Sequence, residues 1–352
     1  MRINGNVIGA NNRPTSNTAN GVWRWDASTM HRLYNQFPTY AAAAAPPSST
    51  QAQGSTSGYT SGGQVSNVID KFPFASNANA TDVGDLTDQR GLAAGQSSTT
   101  HGYTSGGNKV ANPSSVNIID KFPFASNANA TDVGDLSVGR YQPTGQISST
   151  SGYTSGGYRQ TSPFPKVRTT IDKFPFASDA NATDVGALTV SRFGNAGQSS
   201  TTNGYTSGGY GPSLPGAGLN IIDKFPFASD TNATDVGDIT IARYGPAGQS
   251  SSTHGYSTTG AGGGVTYRNT IDKFPFATDA NATDVGDISI ARYTVASQSS
   301  TVSGYNSGGY TSNPAGSASN IIDKFPFATD ADGTDVGDLT VARYYNHAGQ
   351  QV

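Results

Sequence analysis

Hydrophobic positions recur along the chain in six near-identical stretches that read Ile-Asp-Lys-Phe-Pro-Phe-Ala followed by Ser or Thr. An Asn- and Asp-rich segment and then Thr-Asp-Val-Gly follow each copy. The lysines of successive copies are 50, 52, 51, 49 and 51 residues apart: Lys71, Lys121, Lys173, Lys224, Lys273 and Lys324. Self-similarity at a period of this length is the signature of a repeat architecture.

Two further motifs accompany each copy. Gly-Tyr-Thr-Ser-Gly-Gly, or a close variant, precedes it, and an Arg followed by Ala-Gly-Gln or a variant links it to the next. The pattern divides each repeat into four short strands, predicted in the second repeat at Ala94–Thr99, Gly102–Gly107, Ile118–Phe124 and Thr131–Leu136. Four strands in about 50 residues are typical of a β-propeller blade. We therefore predict an all-β, six-bladed β-propeller over residues 51–352.

The last ten residues, Arg343–Val352, repeat the start of a unit and stop after its first strand. Such a fragment predicts ring closure, in which this terminal strand completes the blade opened by Ala52–Ser57 and removes two exposed sheet edges. An open solenoid is the alternative, but its ends would need caps.

Side chains that recur in every repeat are predicted to join the blades. Twelve of the 15 Phe residues are the pairs in Lys-Phe-Pro-Phe, and their spacing of two places both rings of a pair on one face of a strand. We expect Phe72, Phe74 and their counterparts to fill the gaps between blades. Asp70, Asp82 and Arg90 recur six times and predict a charge-assisted network between blades. A ring of ligand-binding groups is the alternative.

Residues 1–50 stand outside the repeats and are predicted to form an arm and linker. Asp26 is a suitable N-cap for one short helix that ends near Gln36. An aromatic-rich arm ahead of a self-contained body is interpreted as a docking element, and a plug packed on its own body is the alternative. The predicted anchoring residues are Trp23, Trp25, Leu33, Tyr34 and Phe37.

Composition narrows the classes of partner. The net charge of −3 gives no reason to expect nucleic acid, and no apolar run approaches the ~20 residues of a membrane helix. The chain has no Cys, and no signal peptide is visible at its start. We expect no catalytic residue, no cofactor and no metal. The Asp-rich turns at Asp179–Asp184 and Asp330–Asp335 have spacings that suit calcium, but tight turns without an ion are favoured.

The segments between the double glycine and the Ile-Asp strand differ among the repeats and carry aromatic and basic residues. All six follow the same strand of a blade, so a propeller places them on one rim. Divergent loops on a rigid scaffold predict a recognition surface, whereas unconstrained drift would explain their lengths alone. The candidate ligand-binding residues are Tyr158, Arg159, Lys166, Arg168, Tyr210, Tyr267, Arg268 and Tyr310.

Two resemblances add expectations. The stretch that contains Arg2-Ile3-Asn4-Gly5, Asn12-Arg13-Pro14-Thr15 and Gly21-Val22-Trp23 resembles the N-terminus of many structural proteins of marine tailed bacteriophages. The repeat resembles the Kelch family from Arg90 to Gly106-Gly107, although no repeat carries the Trp that is usual in its fourth strand. The first resemblance implies a virion component, and the second implies a Kelch-like propeller.

The functional expectation is a bacteriophage virion protein, displayed on the particle as an appendage or tail-fibre module that recognises host-surface glycan. Residues 1–50 would contact other virion proteins, and homo-oligomers are compatible with this role. The alternatives are a capsid decoration or fibre protein without receptor binding, a glycan-degrading tailspike-type enzyme, and a host Kelch-like interaction protein.

Overall fold

Each repeat folds into a four-stranded antiparallel sheet, and six such sheets form the blades of a β-propeller. The computed structural model describes residues 53–352 apart from 64–65, 110–113, 161–165, 212–217, 264–265, 313–314 and 346–347. No helix occurs in this part of the chain, so it holds none long and apolar enough to cross a membrane. The predicted arm helix and anchoring residues lie outside the described residues.

The strands follow the four-strand division of the repeat. In chain order the first sixteen are β1 (Ser57–Ser61), β2 (Val68–Pro73), β3 (Thr81–Asp85), β4 (Arg90–Gly91), β5 (Ala94–Ser97), β6 (His101–Ser105), β7 (Asn108–Lys109), β8 (Ile118–Pro123), β9 (Thr131–Asp135), β10 (Thr144–Ile147), β11 (Ser151–Ser155), β12 (Tyr158–Arg159), β13 (Lys166–Val167), β14 (Thr170–Pro175), β15 (Thr183–Ala187) and β16 (Ala196–Ser199). The remainder are β17 (Asn203–Ser207), β18 (Leu219–Pro226), β19 (Thr234–Arg243), β20 (Ala247–Ser250), β21 (His254–Thr258), β22 (Ala261–Gly262), β23 (Thr266–Tyr267), β24 (Thr270–Pro275), β25 (Thr283–Asp287), β26 (Arg292–Tyr293), β27 (Ala296–Ser299), β28 (Ser303–Ser307), β29 (Tyr310–Ser312), β30 (Ala315–Pro326), β31 (Thr334–Arg343) and β32 (Gly349–Gln351).

From the axis outward, the blades consist of β32-β1-β2-β3, β5-β6-β8-β9, β10-β11-β14-β15, β16-β17-β18-β19, β20-β21-β24-β25 and β27-β28-β30-β31. We number them 1 to 6 in that order. Short pairs such as β4–β7, β12–β13 and β22–β23 lie beside the blades, and β26 pairs with β29 next to blade 6.

The ring is closed by the end of the chain, as predicted. β32 pairs with β1 through Gly58↔Gln351 and Thr60↔Gly349, so the last strand becomes the innermost strand of blade 1. The six innermost strands contact one another around the axis. Their glycines permit this approach, because a Cβ on Gly145 would lie 2.1 Å from the carbonyl oxygen of Gly95. The cavity lined by these strands is only about 50 Å³.

Aromatic side chains fill the gaps between blades. Tyr59 of blade 1 lies 5.7 Å from Phe122 and 4.8 Å from Phe124 of blade 2, measured between ring centroids. The same Tyr–Phe–Phe group recurs at the other five interfaces, including the closure between Tyr305 of blade 6 and Phe72 of blade 1. The prediction for the Lys-Phe-Pro-Phe motif is confirmed.

Buried ion pairs join each blade to the connection that leads into it. Arg90 lies 2.9 Å from Asp120, and Thr87 donates its backbone amide and hydroxyl to the same carboxylate. Both members of all six pairs are fully buried. The pair of Arg343 and Asp70 links blade 6 to blade 1. Asp82 accepts from the amide of Gly84 in its own strand, and its charge adds to that of Asp70 in opposing the effect of burial on the pKa of Arg343.

The two faces of the disc are distinguished by strand direction. Turns between the first and second strands and between the third and fourth strands lie on one face, which we call the turn face. Loops between the second and third strands lie on the opposite face with the connections between blades, and we call it the loop face. Gly54 forms a β-bridge with Ser300, which lies in the turn between the first and second strands of blade 6. The first described residues therefore join the propeller at the turn face.

Candidate functional site

The loop face carries a repeated pair of positions at its centre. In blades 3 to 6, the residue after the connecting Arg lies across an antiparallel bridge from the residue after the double glycine, or after Thr259-Gly260 in blade 5. Tyr141 faces Tyr158 in blade 3, and the same relation joins Phe193 to Tyr210, Tyr244 to Ala261 and Tyr293 to Tyr310. The repeat thus delivers aromatic side chains to the same place in successive blades.

These rings form a continuous arc. Centroid distances between neighbours range from 4.8 to 6.1 Å. The contacts run from Tyr141 through Tyr158 and Phe193 to Tyr210, and then onward to Tyr344 and Tyr345. All ten side chains are half-buried, so each keeps some surface for a ligand. We call this set the aromatic arc: Tyr141, Tyr158, Phe193, Tyr210, Tyr244, Tyr267, Tyr293, Tyr310, Tyr344 and Tyr345.

A ring of backbone hydrogen bonds forms the floor beneath the arc. The second residue after each Arg has a left-handed backbone, with φ between 53° and 66°: Leu92, Gln142, Gly194, Gly245, Thr294 and Tyr345. Five of the six amides donate to the carbonyl of the preceding member, from Leu92 to Tyr345 (2.6 Å) and Gln142 to Leu92 (2.7 Å) through to Thr294 and Gly245 (3.0 Å). These bonds hold six residues around the propeller axis.

Three of the non-glycine residues in this ring also contribute side chains to the site. A left-handed backbone costs a residue with a Cβ roughly 1–2 kcal/mol, and Gly194 and Gly245 show that glycine fits the ring. Leu92, Gln142 and Tyr345 nevertheless occupy it, and all three line the same cavity. Backbone strain of this kind concentrates at functional sites, which supports a role for these side chains in binding.

Six residues of the arc and the floor residues Leu92 and Gln142 line a cavity of about 570 Å³ on the propeller axis, which we call the axial cavity; Tyr158, Tyr267, Tyr310 and Tyr344 are not among its described lining residues. This volume is within the range of roughly 300–1,000 Å³ that is usual for small-ligand sites. No Asp, Lys, Arg or His is among its described lining residues: Leu92, Asn108, Tyr141, Gln142, Phe193, Tyr210, Tyr244, Gly262, Tyr293 and Tyr345. The site therefore offers apolar ring faces, phenol hydroxyls and two amides, without a formal charge.

Five phenols of the arc have a raised pKa. Burial raises the pKa of Tyr141, Tyr244, Tyr267, Tyr293 and Tyr345 above the usual value. Neighbouring phenols add to each increase, because two phenolates side by side would repel. At neutral pH these groups are uncharged and can both donate and accept hydrogen bonds.

The structure brings together four of the residues that the sequence proposed for ligand binding. Tyr158, Tyr210, Tyr267 and Tyr310 belong to the arc. Sequence reasoning missed the aromatic residues that follow the connecting arginines, above all Tyr244 and Tyr293. The missed signal was the dipeptide of Arg and an aromatic residue, which occurs at five of the six connections.

The basic candidates fall into two groups. Arg159 and Lys166 face each other across the β12–β13 hairpin beside Tyr158, and neither forms an ion pair with another described residue. Arg168 and Arg268 are half-buried, and the Nε of each is buried without a hydrogen-bond partner among the described residues. Arg268 contacts Gly262, where an added Cβ would lie 3.2 Å from its Nη2. None of these four lines the axial cavity.

The Asp-rich turns contact the neighbouring blades. The Asp179 carboxylate accepts from Lys121 at 2.8 Å, and the Asn181 side chain accepts from the amide of Asp135 at 3.0 Å. Asp184 accepts from Gly186 in its own strand. Across the described ranges no three acidic, His or Cys side chains are grouped so as to hold a metal ion. This geometry favours structural turns over calcium sites.

Comparison with known proteins does not add a family assignment. No protein-family model matches the chain, and no curated protein matches it. The assignment of a six-bladed β-propeller therefore stands on the strand pairing and ring closure described above.

Proposed function

We propose that this protein is a bacteriophage virion component whose propeller binds host-surface glycan in the axial cavity. The observation that carries the binding role is the aromatic arc around an uncharged cavity. A sugar ring presents apolar C–H faces and hydroxyl groups, which match half-exposed rings and protonated phenols. Tyr is also among the residue types that most often dominate binding energy, because it is large, rigid and amphipathic.

The positions of the cavity and of the first described residues suit a displayed module. The axial cavity opens on the loop face, whereas Gly54 joins the propeller at the turn face. A propeller displayed with its turn face toward a particle would leave the cavity facing outward. The bacteriophage part of the proposal rests on the resemblance of Arg2–Trp23 to virion proteins. We further propose that the propeller is Kelch-like, on the spacing of the Arg and the double glycine.

Adsorption of the full-length chain to bacterial cells tests the proposal. The amount of protein adsorbed to cells from a panel of marine bacteria is measured before and after periodate oxidation of the cells. Periodate cleaves the vicinal diols of sugars. We expect saturable binding to a subset of strains that periodate abolishes. Binding that survives periodate but is lost after protease treatment of the cells would indicate a protein receptor and contradict the proposal.

Three variants locate the contact. A Tyr244→Ala/Tyr293→Ala double variant is expected to lose adsorption, because it removes two rings that line the cavity. The matched control is Val302→Ser, a substitution at a 63% exposed side chain on the turn face. An Arg159→Ala/Lys166→Ala variant tests the recognition role predicted for the hairpin. Loss of binding in this variant with retention in the double tyrosine variant would place the contact at the hairpin.

A further inference from the structure

The wall of the axial cavity is built by all six blades. Each blade, or the connection that leads into it, contributes at least one described lining residue, so the lining encircles the propeller axis. In chain order these residues are Leu92 and Asn108 for blade 2, Tyr141 and Gln142 for blade 3, Phe193 and Tyr210 for blade 4, Tyr244 and Gly262 for blade 5, Tyr293 for blade 6 and Tyr345 for blade 1. A ligand in the cavity therefore meets protein on every side of the axis.

The floor closes the cavity on the side of the inner strands. Its five backbone hydrogen bonds measure 2.6–3.0 Å between nitrogen and oxygen. The side chain of Gln142 lies over the next floor member, since a Cβ added to Gly194 would be 3.7 Å from its Nε2. Below the floor, the cavity of about 50 Å³ between the inner strands shares no described lining residue with the axial cavity. That space is on the scale of a few water molecules, so a sugar chain cannot continue along the axis.

The wall and the floor leave the loop face as the open side, and this limits which part of a glycan can enter. An internal stretch of a polymer continues in both directions and needs two openings from its site, whereas a chain end needs one. An internal stretch laid across the mouth would leave the floor without a contact. The volume of about 570 Å³ is that of a small-ligand site, so it holds only a short part of a chain.

We propose that the axial cavity binds the end of a neutral glycan chain, which enters from the loop face with its terminal sugar toward the floor. This inference rests on the glycan-binding function proposed above and names the part of the glycan that is recognised. The rings of Tyr244 and Tyr293 stack on the sugar, and the Gln142 amide bonds its hydroxyl groups. No described lining residue carries a charge, so a terminal acidic sugar would bury its carboxylate without a partner.

Cutting a bound glycan tests the inference, because each cut makes new chain ends from the same mass of sugar. Polysaccharide released from a strain that adsorbs the full-length protein is hydrolysed with mild acid and separated into fractions by length. Part of each fraction is reduced with borohydride, which opens the ring at the reducing end only. Titration calorimetry of the wild type, the Tyr244→Ala/Tyr293→Ala variant and the Val302→Ser control gives the dissociation constant and the amount of protein bound per unit mass.

We expect the amount of wild type or control bound per unit mass to rise in proportion to the number of chain ends, with an unchanged dissociation constant. The double variant should bind long and short fractions alike about tenfold or more weakly. Loss of binding on reduction would assign the reducing end, and retained binding the other end. A bound amount per unit mass that stays constant as the chains shorten would overturn end recognition. Undiminished binding by the double variant, or no glycan binding by the wild type, would contradict the proposed function itself.

Discussion

Tyr267 stacks on Tyr293 with ring centroids 4.9 Å apart and 26° between the ring planes. The two residues reach this contact by different routes, since Tyr293 follows a connecting arginine and Tyr267 lies in the β22–β23 hairpin of blade 5. The hairpin therefore supplies a ring that the repeat itself lacks at Ala261. Tyr267 thereby adds a second ring from blade 5 beside Tyr244, which itself contacts Tyr293.

Removing Tyr267 should affect binding more than folding. In Tyr267→Ala, we expect glycan binding to weaken by about tenfold, because the arc loses the ring that stacks on Tyr293. The free energy of unfolding should fall by no more than about 1.5 kcal/mol, the usual worth of an aromatic pair. Denaturant unfolding and binding are measured together, and Thr266→Ala in the same hairpin is the control. A large loss of stability with intact binding would contradict the argument.

Replacing Gln142 by glycine should separate stability from function. The backbone of Gln142 is left-handed, and glycine takes this conformation without a steric cost. Gln142→Gly is therefore expected to leave the free energy of unfolding unchanged or to raise it by up to about 1 kcal/mol. Binding should weaken, because an amide is removed from the cavity lining. Thermal unfolding and glycan binding check the two parts, and retained binding would show that this side chain has no role.

The buried ion pair at the ring closure should be far more important for stability than the exposed pairs. Arg343→Met leaves the Asp70 carboxylate buried without its partner and is expected to cost about 3–5 kcal/mol. Lys273→Met breaks the exposed pair with Asp330, whose Nζ–Oδ1 distance is 2.8 Å, and should cost at most about 1 kcal/mol. Urea unfolding of both variants makes the comparison. Equal losses in the free energy of unfolding for the two variants would show that the buried pair does not stabilise the ring closure.

Alkaline pH should destabilise the propeller through its core tyrosines. Burial raises the pKa of Tyr59, Tyr205, Tyr256 and Tyr305 to about 12. In the unfolded chain a phenol ionises near pH 10, so the unfolded state binds fewer protons between pH 10 and 12 and stability falls as pH rises. Each tyrosine contributes a loss of up to about 3 kcal/mol by pH 12. We expect the free energy of unfolding to be flat below pH 9 and to decline steeply above pH 10, and a flat profile to pH 12 would contradict this account.

The repeat pattern was sufficient to predict the propeller because the strand, turn and interblade residues are copied six times. Phe72, Asp70 and the closing strand at Gly349 could all be assigned from one repeat and its period. The cavity could not be predicted, since it depends on which positions meet at the axis. Tyr141 and Tyr158 are 17 residues apart in the sequence, and their contact became visible only from the bridge between the connection and the loop.

The most direct test of the central claim is equilibrium binding of the full-length protein to an array that contains neutral and acidic polysaccharides. The Tyr244→Ala/Tyr293→Ala variant and the Val302→Ser control are measured on the same array. Our account predicts that the wild type and the control bind a neutral polysaccharide with the same affinity. The affinity of the double variant should be lower by about tenfold or more. Binding restricted to acidic polysaccharides, or unchanged in the double variant, would contradict recognition of a neutral glycan in the axial cavity.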